Sequence, residues 1–337
     1  MSQHRIAVIG AGSWGTALAN LLAKKGLDTT VWSYEAEVAE SIRAEHRNSN
    51  YLSEVVLDPG LQVTQSIPEA VRGAGVIVSV SPSHVVRAVM AEAAPHVKGD
   101  ALVVSASKGI EEGSLLTMDG VLAEVLGDAH AARTAFLSGP SFALEVALEH
   151  PTAVTMASRS RAAADAAQEL FQTDYFRVYT SNDVPGVELG GSLKNVIAIA
   201  AGVVDGLGFG HNTRAALITR GLAEITRLGV ALGADPLTLA GLAGMGDLIL
   251  TCTGKLSRNH TVGEELGRGR SIEEILAGMS MVAEGVRTTR AARELAHRTG
   301  IEMPIVEEVY GVLYEGREPR EAVENLMLRE PKPEQWG

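Results

Sequence analysis

Residues 6–20 run Ile6-Ala7-Val8-Ile9-Gly10-Ala11-Gly12-Ser13-Trp14-Gly15-Thr16-Ala17-Leu18-Ala19-Asn20. A short β-branched run meets a turn with G-x-G-x-x-G spacing, and an alanine- and leucine-rich segment follows. Strand, tight turn and helix form the context in which such glycines bind a dinucleotide. Gly10 permits the turn, Gly12 has no Cβ to obstruct a pyrophosphate, and Gly15 lets the helix pack on the strand. The free N–H groups at the helix start then face negative phosphate. With 36 glycines in the chain, spacing alone would be weak. The strand before it and the helix after it make it specific for NAD(P) or FAD; an ordinary βα turn is the alternative.

The same texture continues. Strand candidates at Arg5–Ile9, Thr29–Trp32, Gln62–Thr64, Val76–Val80, Ala101–Ser105, Ala135–Leu137, Ala153–Ala157 and Arg177–Thr180 alternate with helical stretches such as Ser83–Ala94 and Leu115–Leu126. Alternation of this kind predicts a mostly parallel, doubly wound sheet covered by helices. The texture changes at Pro185-Gly186. Beyond it, alanine- and leucine-rich segments separated by Gly and Pro dominate: Val187–Val204, Thr213–Leu232, Leu237–Ala243, Ser271–Ala277, Thr288–Gly300, Ile305–Tyr314 and Arg320–Leu328. The expected architecture is α/β, with a Rossmann-type dinucleotide domain over residues 1–184. An all-helical substrate domain over 185–330 and a disordered tail over 331–337 follow it.

Charge and cysteine usage narrow the function classes. Asp and Glu outnumber Lys and Arg by 41 to 29, a net charge of −12, which disfavours nucleic acid or an anionic membrane as partner. A small anionic substrate remains compatible, because local cations decide its binding. The single cysteine, Cys252, forbids an intrachain disulfide, so the cytoplasm is the expected compartment. Cys252 itself reads as a small buried hydrophobe. The uncharged stretch from Ile6 to Ala23 follows His4-Arg5 as a signal peptide would, but glycines, Thr16 and Asn20 interrupt it, and the glycine turn explains the same residues. No other stretch reads as approaching transmembrane length. No Cys/His cluster has metal-ligand spacing.

Several residues carry candidate chemistry. Lys194 interrupts the apolar run from Gly190 to Ala200. Burying an ammonium is costly unless it is paired, and desolvation lowers its pKa toward neutrality, where it can exchange a proton with a carbonyl oxygen. A lysine snorkelling to the surface is the alternative; Gly190-Gly191 before it and Asn195 after it favour function. Lys108 follows the strand end Val103-Val104-Ser105, where open parallel sheets bind ligands, unless it is a solvated loop lysine. Ser138-Gly139-Pro140-Ser141-Phe142-Ala143 follows another strand, and Ser141 with backbone N–H groups can face the same crevice. It lacks the G-x-S-x-G of a nucleophile elbow. In Ser81-Pro82-Ser83-His84, His84 is a candidate proton donor, but a helix start capped by Ser83 is the favoured reading. Asp247, in Gly244-Met245-Gly246-Asp247-Leu248, is an isolated acid suited to a lysine ammonium or a substrate hydroxyl. Ser257-Arg258-Asn259-His260 fits a phosphate grip and a surface loop equally well.

As a set, these segments resemble the bacterial NAD(P)-dependent sn-glycerol-3-phosphate dehydrogenases. The match runs in order through nearly the whole chain: the 10–17 turn, Ser107-Lys108-Gly109, the 138–143 segment, Gly191-Ser192-Leu193-Lys194-Asn195-Val196, Thr219-Arg220-Gly221, the 244–248 segment, Thr251-Cys252-Thr253, Ser257-Arg258-Asn259 and Val282-Ala283-Glu284-Gly285. The resemblance implies reduction of dihydroxyacetone phosphate to sn-glycerol 3-phosphate by NADPH or NADH, without a metal, feeding phospholipid synthesis. It implies Lys194 as general acid/base. Lys108, Gly139, Ser141, Asp247, Ser257, Arg258 and Asn259 would bind substrate, with Asn195 and Thr251 positioning it. Ser13, Trp14, Lys108, Ala143, Arg258, Val282 and Glu284 would contact the cofactor beside Gly10, Gly12 and Gly15. Whether the chain forms a homodimer is left open.

Coenzyme choice also stays open. Trp32 leads into Ser33-Tyr34, where an NAD enzyme usually carries an acid for the ribose hydroxyls. Glu35 comes late, no basic residue lies within Ser33–Glu37, and Arg43 is the nearest downstream cation; Tyr34 is taken as the ribose-side contact. Two rival readings remain. Another two-domain β-hydroxyacid dehydrogenase, such as a 3-hydroxyisobutyrate-type enzyme, also places a lysine and amide on the first helix of a helical domain, but has no evident need for Ser257-Arg258-Asn259. A non-catalytic dinucleotide sensor would need no buried Lys194.

Overall fold

Short runs such as Ile6–Ile9 and Val76–Ser79 are buried along their whole length, because helices cover both faces of the sheet they join. The structure, a computed structural model, describes residues 5–279, 282–331 and 333–334. Eight strands form one sheet: β1 (Ile6–Ile9), β2 (Thr29–Trp32), β3 (Gln62–Thr64), β4 (Val76–Ser79), β5 (Leu102–Ser105), β6 (Thr134–Ser138), β7 (Thr152–Ala157) and β8 (Phe176–Ser181). Each lies within one residue of the sequence expectation at either end. Their order is β3-β2-β1-β4-β5-β6-β7-β8, parallel throughout except between β6 and β7. The chain leaves β1 toward β2 and β3, then returns to place β4 on the other side of β1. That reversal opens a crevice at the carboxyl ends of β1 and β4.

Helices α1 (Ser13–Lys24), α2 (Ala36–Glu45), α3 (Ile67–Val71), α4 (Ser83–Ala93), α5 (Met118–Leu126), α6 (Asp128–Ala131), α7 (Ala143–Ala147) and α8 (Arg161–Phe171) belong to the sheet domain. Two apolar clusters fill its faces. The α5 start falls three residues later than expected from sequence, since Leu115 takes φ 60°, through which no right-handed helix runs.

The rest of the described chain is helical: α9 (Val184–Gly206), α10 (His211–Ala231), α11 (Pro236–Leu239), α12 (Asp247–Thr253), α13 (Arg258–Gly267), α14 (Ile272–Ala277), α15 (Glu284–Thr299), α16 (Pro304–Tyr314) and α17 (Pro319–Met327). Helix α9, capped by the Asp183 side chain, is almost wholly buried, with α10, α12, α13 and α15 packed around it. The helix expected over Leu237–Ala243 instead breaks after Leu239 and re-forms as a π-helical turn over Leu242–Gly246 that leads into α12. Contrary to the sequence expectation, two stretches do approach transmembrane length. By length and composition, α9 (mean hydropathy 1.4) and the stretch Pro236–Thr253 (1.3) are both apolar enough to cross a membrane. The α9 window is entirely buried inside the protein, as a core helix is, and the second stretch is broken and carries the charged Asp247. Of the tail expected over 331–337, residues 332 and 335–337 lie outside the described residues.

Candidate active site

At the crevice, Gly10 has φ 129°, a conformation open to glycine, and a Cβ there would meet the Val80 carbonyl oxygen at 3.0 Å. A Cβ on Gly15 would lie 1.9 Å from the Gly10 carbonyl oxygen, so the start of α1 is pressed against the turn. Gly12 differs: among the described residues nothing lies within 4 Å of the Cβ it lacks, and its backbone is extended. Packing does not demand glycine there. The space lies before a helix start whose first N–H groups no side chain caps, a setting that suits an anion. The Ser13 hydroxyl donates to the Tyr51 carbonyl at 2.7 Å, and the Trp14 ring packs on Phe176 with centroids 6.5 Å apart. What these two residues offer a phosphate is therefore backbone N–H. At the end of β2, Tyr34 is 79% exposed, Glu35 accepts from the Tyr51 hydroxyl at 2.8 Å, and Arg43 pairs with Glu40. The nearest acid and the nearest downstream cation are both already engaged.

A second cluster assembles from three distant segments. Asp247, the first residue of α12, is 1% exposed. Its Oδ1 accepts from the Lys194 ammonium of α9, and its Oδ2 accepts from Lys108 at 2.7 Å. The Thr251 hydroxyl accepts from Lys194 at 2.9 Å and donates to the Asp247 carbonyl at 2.6 Å. Lys108 also reaches the Gly139 carbonyl, at 3.4 Å, which the Ser141 hydroxyl shares at 3.0 Å. A Cβ on Gly191 would lie 2.4 Å from the Ser138 hydroxyl and 3.5 Å from Lys108 Cδ, so glycine here lets the β6 end and Lys108 approach α9.

The electrostatics follow from burial and this pairing. Burial pulls the Lys194 pKa down to about 8, opposed by Asp247 and assisted by Lys108. Burial works to raise the Asp247 carboxyl, but the two lysines outweigh it and hold it below the ordinary carboxylate value. One carboxylate thus lies between two ammonium groups, one of them ready to release a proton near neutral pH. Lys194 does not snorkel, being 7% exposed, and Lys108 is not a solvated loop lysine. Burial pushes the neighbouring Cys252 thiol up to about 12, leaving it an uncharged packing group.

Beside this cluster, Ser257 caps α13, its hydroxyl accepting from the His260 N–H at 3.2 Å. The Asn259 amide donates to Asn195 Oδ1 and accepts from the Gly285 N–H, both at 2.9 Å, tying α9, α13 and α15 together. Arg258 is exposed but crowded by protein: burial lowers its pKa, Glu284 opposes, and it makes no hydrogen bond or ion pair among the described residues. Glu284, at the start of α15, accepts from the Ser83 N–H at 3.2 Å and the Ser83 hydroxyl at 2.6 Å. Ser83 is therefore not the cap expected from sequence. Pro82 takes the cap position with no side-chain acceptor, and the carboxylate comes from the other domain. His84 is pushed down by burial and by Arg287, and it does not join the lysine cluster. Ala143 opens α7, and Val282, 39% exposed, precedes α15; neither contributes a side-chain hydrogen bond. Among the described residues no group of three metal-ligating side chains occurs. Sequence reading missed Glu188, a second charge in the apolar run of α9, which shows the same anomaly that flagged Lys194.

A glycerol-3-phosphate dehydrogenase (NAD(P)+) of Geobacter sulfurreducens is 60% identical over 333 residues, 99% of either chain. Models of the NAD-dependent glycerol-3-phosphate dehydrogenase N-terminus and C-terminus match residues 5–164 and 183–324. The chain belongs to the NAD-dependent glycerol-3-phosphate dehydrogenase family. The crystal structure of a glycerol-3-phosphate dehydrogenase from Coxiella burnetii superposes with a TM-score of 0.93 at 40% identity, over 97% of this chain and 99% of that one. A ketopantoate reductase family structure from Ralstonia eutropha, at 15% identity and TM-score 0.59 over 95% and 99%, shares the fold alone. Membership of the glycerol-3-phosphate dehydrogenase family sets aside the 3-hydroxyisobutyrate-type and sensor readings.

Proposed function

We propose that this protein reduces dihydroxyacetone phosphate reversibly to sn-glycerol 3-phosphate with NADPH or NADH, in the cytoplasm, for phospholipid synthesis. We take residues 1–184 to hold the dinucleotide and 185–330 to hold the substrate. The observation that carries this reading is the buried Asp247 held between Lys194 and Lys108. The dinucleotide, when bound, supplies the hydride. Lys194 gives its proton to the C2 oxygen as negative charge develops there, and in reverse it takes the proton of the hydroxyl. Asp247 and Thr251 orient the ammonium, and Asp247 balances its charge. Lys108 adds positive potential where the alkoxide forms.

Arg258, at the first helical position of α13, has a guanidinium with no hydrogen bond or ion pair among the described residues, and it grips the phosphate together with the N–H groups of that helix start. Asn195 and Asn259 fix α9 and α13 relative to each other, so binding energy spent on the phosphate aligns the carbonyl. NADPH oxidation with dihydroxyacetone phosphate beside unphosphorylated dihydroxyacetone tests the reading. In Arg258→Ala the phosphorylated substrate should lose about 2–5 kcal/mol in kcat/KM, while the unphosphorylated one changes little. Equal proportional losses on both, with NADPH affinity intact, would remove Arg258 from the phosphate.

A further inference from the structure

Helix α9 spans both domains. Val184 and Val187 pack in an apolar cluster of the sheet, whereas Leu189, Leu193 and the residues after them pack in the helical core. Glu188 sits at this transition, 8% exposed. Its carboxyl oxygens accept from the Asp119 N–H at 3.0 and 3.3 Å, and the Thr117 hydroxyl adds a bond. Asp119 lies in the first turn of α5, a helix whose own N-cap residue, Thr117, supplies no side-chain cap. One turn along α9, the Ser192 hydroxyl accepts from the Gly109 N–H at 2.9 Å and donates to the Glu188 carbonyl at 2.7 Å. The two contacts hold both ends of the 109–119 segment, which begins directly after Lys108. Lys108, Ser138, Glu188 and Ser192 line one small recess. Burial pushes Glu188 up to about 8, so near neutral pH the group is an acid whose role is hydrogen bonding rather than charge.

We propose that Glu188 is a positioning residue for Lys108: from α9 it grips the start of α5, fixes the 109–119 segment, and so sets the Lys108 ammonium against Asp247. The inference rests on the assignment of Lys194 and Lys108 to dihydroxyacetone phosphate reduction. Glu188→Gln keeps an acceptor for the Asp119 N–H, and Glu188→Ala removes it. The Gln variant should stay within about threefold of wild-type kcat/KM. The Ala variant should lose roughly 30-fold or more, because a displacement of about 1 Å near the chemistry has effects of that order. NADPH affinity, read by fluorescence titration, should change by less than about threefold in Glu188→Gln, where Lys108 stays in place.

The alkaline limb of the pH–rate profile separates positioning from bulk stability. Lys108 is one of the groups that hold the Lys194 pKa down, so withdrawing it should move that limb to higher pH in Glu188→Ala. Amide exchange at Gly109 and Asp119 should quicken in the same variant. An unchanged kcat/KM in Glu188→Ala, or a loss with an unmoved limb, overturns the proposal. If the Ala variant does not fold, Glu188→Asp, one methylene too short to reach Asp119, replaces it with the same deciding outcomes. A wild-type enzyme inert toward dihydroxyacetone phosphate would overturn the functional reading instead, and the exchange at Gly109 and Asp119 would still decide the grip.

Discussion

The glycine turn and the lysine cluster are made of different material. The turn is backbone from six consecutive residues, Gly10–Gly15, and what it presents is shape: one positive φ, one close approach and one open space. The cluster is side chains from a loop, α9 and α12, with Lys108 and Asp247 139 residues apart in sequence. What it presents is charge placed in a dry setting. A backbone site of this kind fails when an atom is added. A side-chain site fails when a charge is removed or displaced.

Lys194→Ala is the largest expected break. Removing the proposed proton donor should lower kcat by roughly 10²–10⁴-fold, with NADPH affinity unchanged because Lys194 is not among the residues expected to contact the cofactor. Near-normal turnover would take Lys194 out of the mechanism.

Gly12→Val applies the opposite perturbation. Nothing among the described residues meets a Cβ there, so the melting temperature should hold. The branched side chain should nevertheless weaken both NADH and NADPH by about 100-fold or more, ~3 kcal/mol. Gly15→Val should instead cost the fold itself, since its Cβ meets the Gly10 carbonyl at 1.9 Å. Equal behaviour of the two variants in thermal melts and fluorescence titrations would erase the distinction drawn between open space and close packing.

Coenzyme discrimination should be smaller. Glu35 is engaged by Tyr51 and Arg43 by Glu40, so neither is set to select a ribose hydroxyl or a 2′-phosphate. The ratio of kcat/KM for NADPH and NADH should stay below about 100-fold, or ~3 kcal/mol. A larger ratio would show that another group reaches the ribose.

The smallest effect is the pH response of the cluster. The folded-state pKa of Lys194 is depressed from 10.5 to about 8. Reduction needs the protonated form, so kcat/KM for dihydroxyacetone phosphate should fall about tenfold per pH unit above that value. Oxidation of glycerol 3-phosphate needs the neutral form and should rise through the same range. Profiles that are flat between pH 7 and 10 in both directions would place the titrating proton elsewhere.

Much of this was legible in the chain, for identifiable reasons. The strands read within a residue because parallel strands buried on both faces are continuous apolar runs. Lys194 stood out because an ammonium in an apolar helix calls for a partner. Helices α12 and α13 were not legible. The first follows Gly244-Met245-Gly246, which reads as a turn, and the second is polar and contains Gly263 and Gly267. α13 forms because those glycines let it press onto α9: a Cβ on Gly263 would lie 1.9 Å from the Ile199 carbonyl oxygen. Tertiary contact there overrides weak helix propensity. Ser83 misled for a related reason, since its helix takes its acceptor from Glu284, 201 residues away.

By itself, the sequence determined the strand–turn–helix that can receive a dinucleotide, the change from sheet to helices, and the presence of a lysine that burial would make acidic. Each depends on sterics or periodicity within a few residues, which the order of amino acids specifies directly. Only the tertiary structure decided which acid meets that lysine, that Lys108 shares it, and that Glu188 reaches the start of α5. Those pairings join residues tens to more than a hundred positions apart. Their geometry comes from how α9 docks against the sheet and its neighbouring helices, and no local pattern encodes that docking.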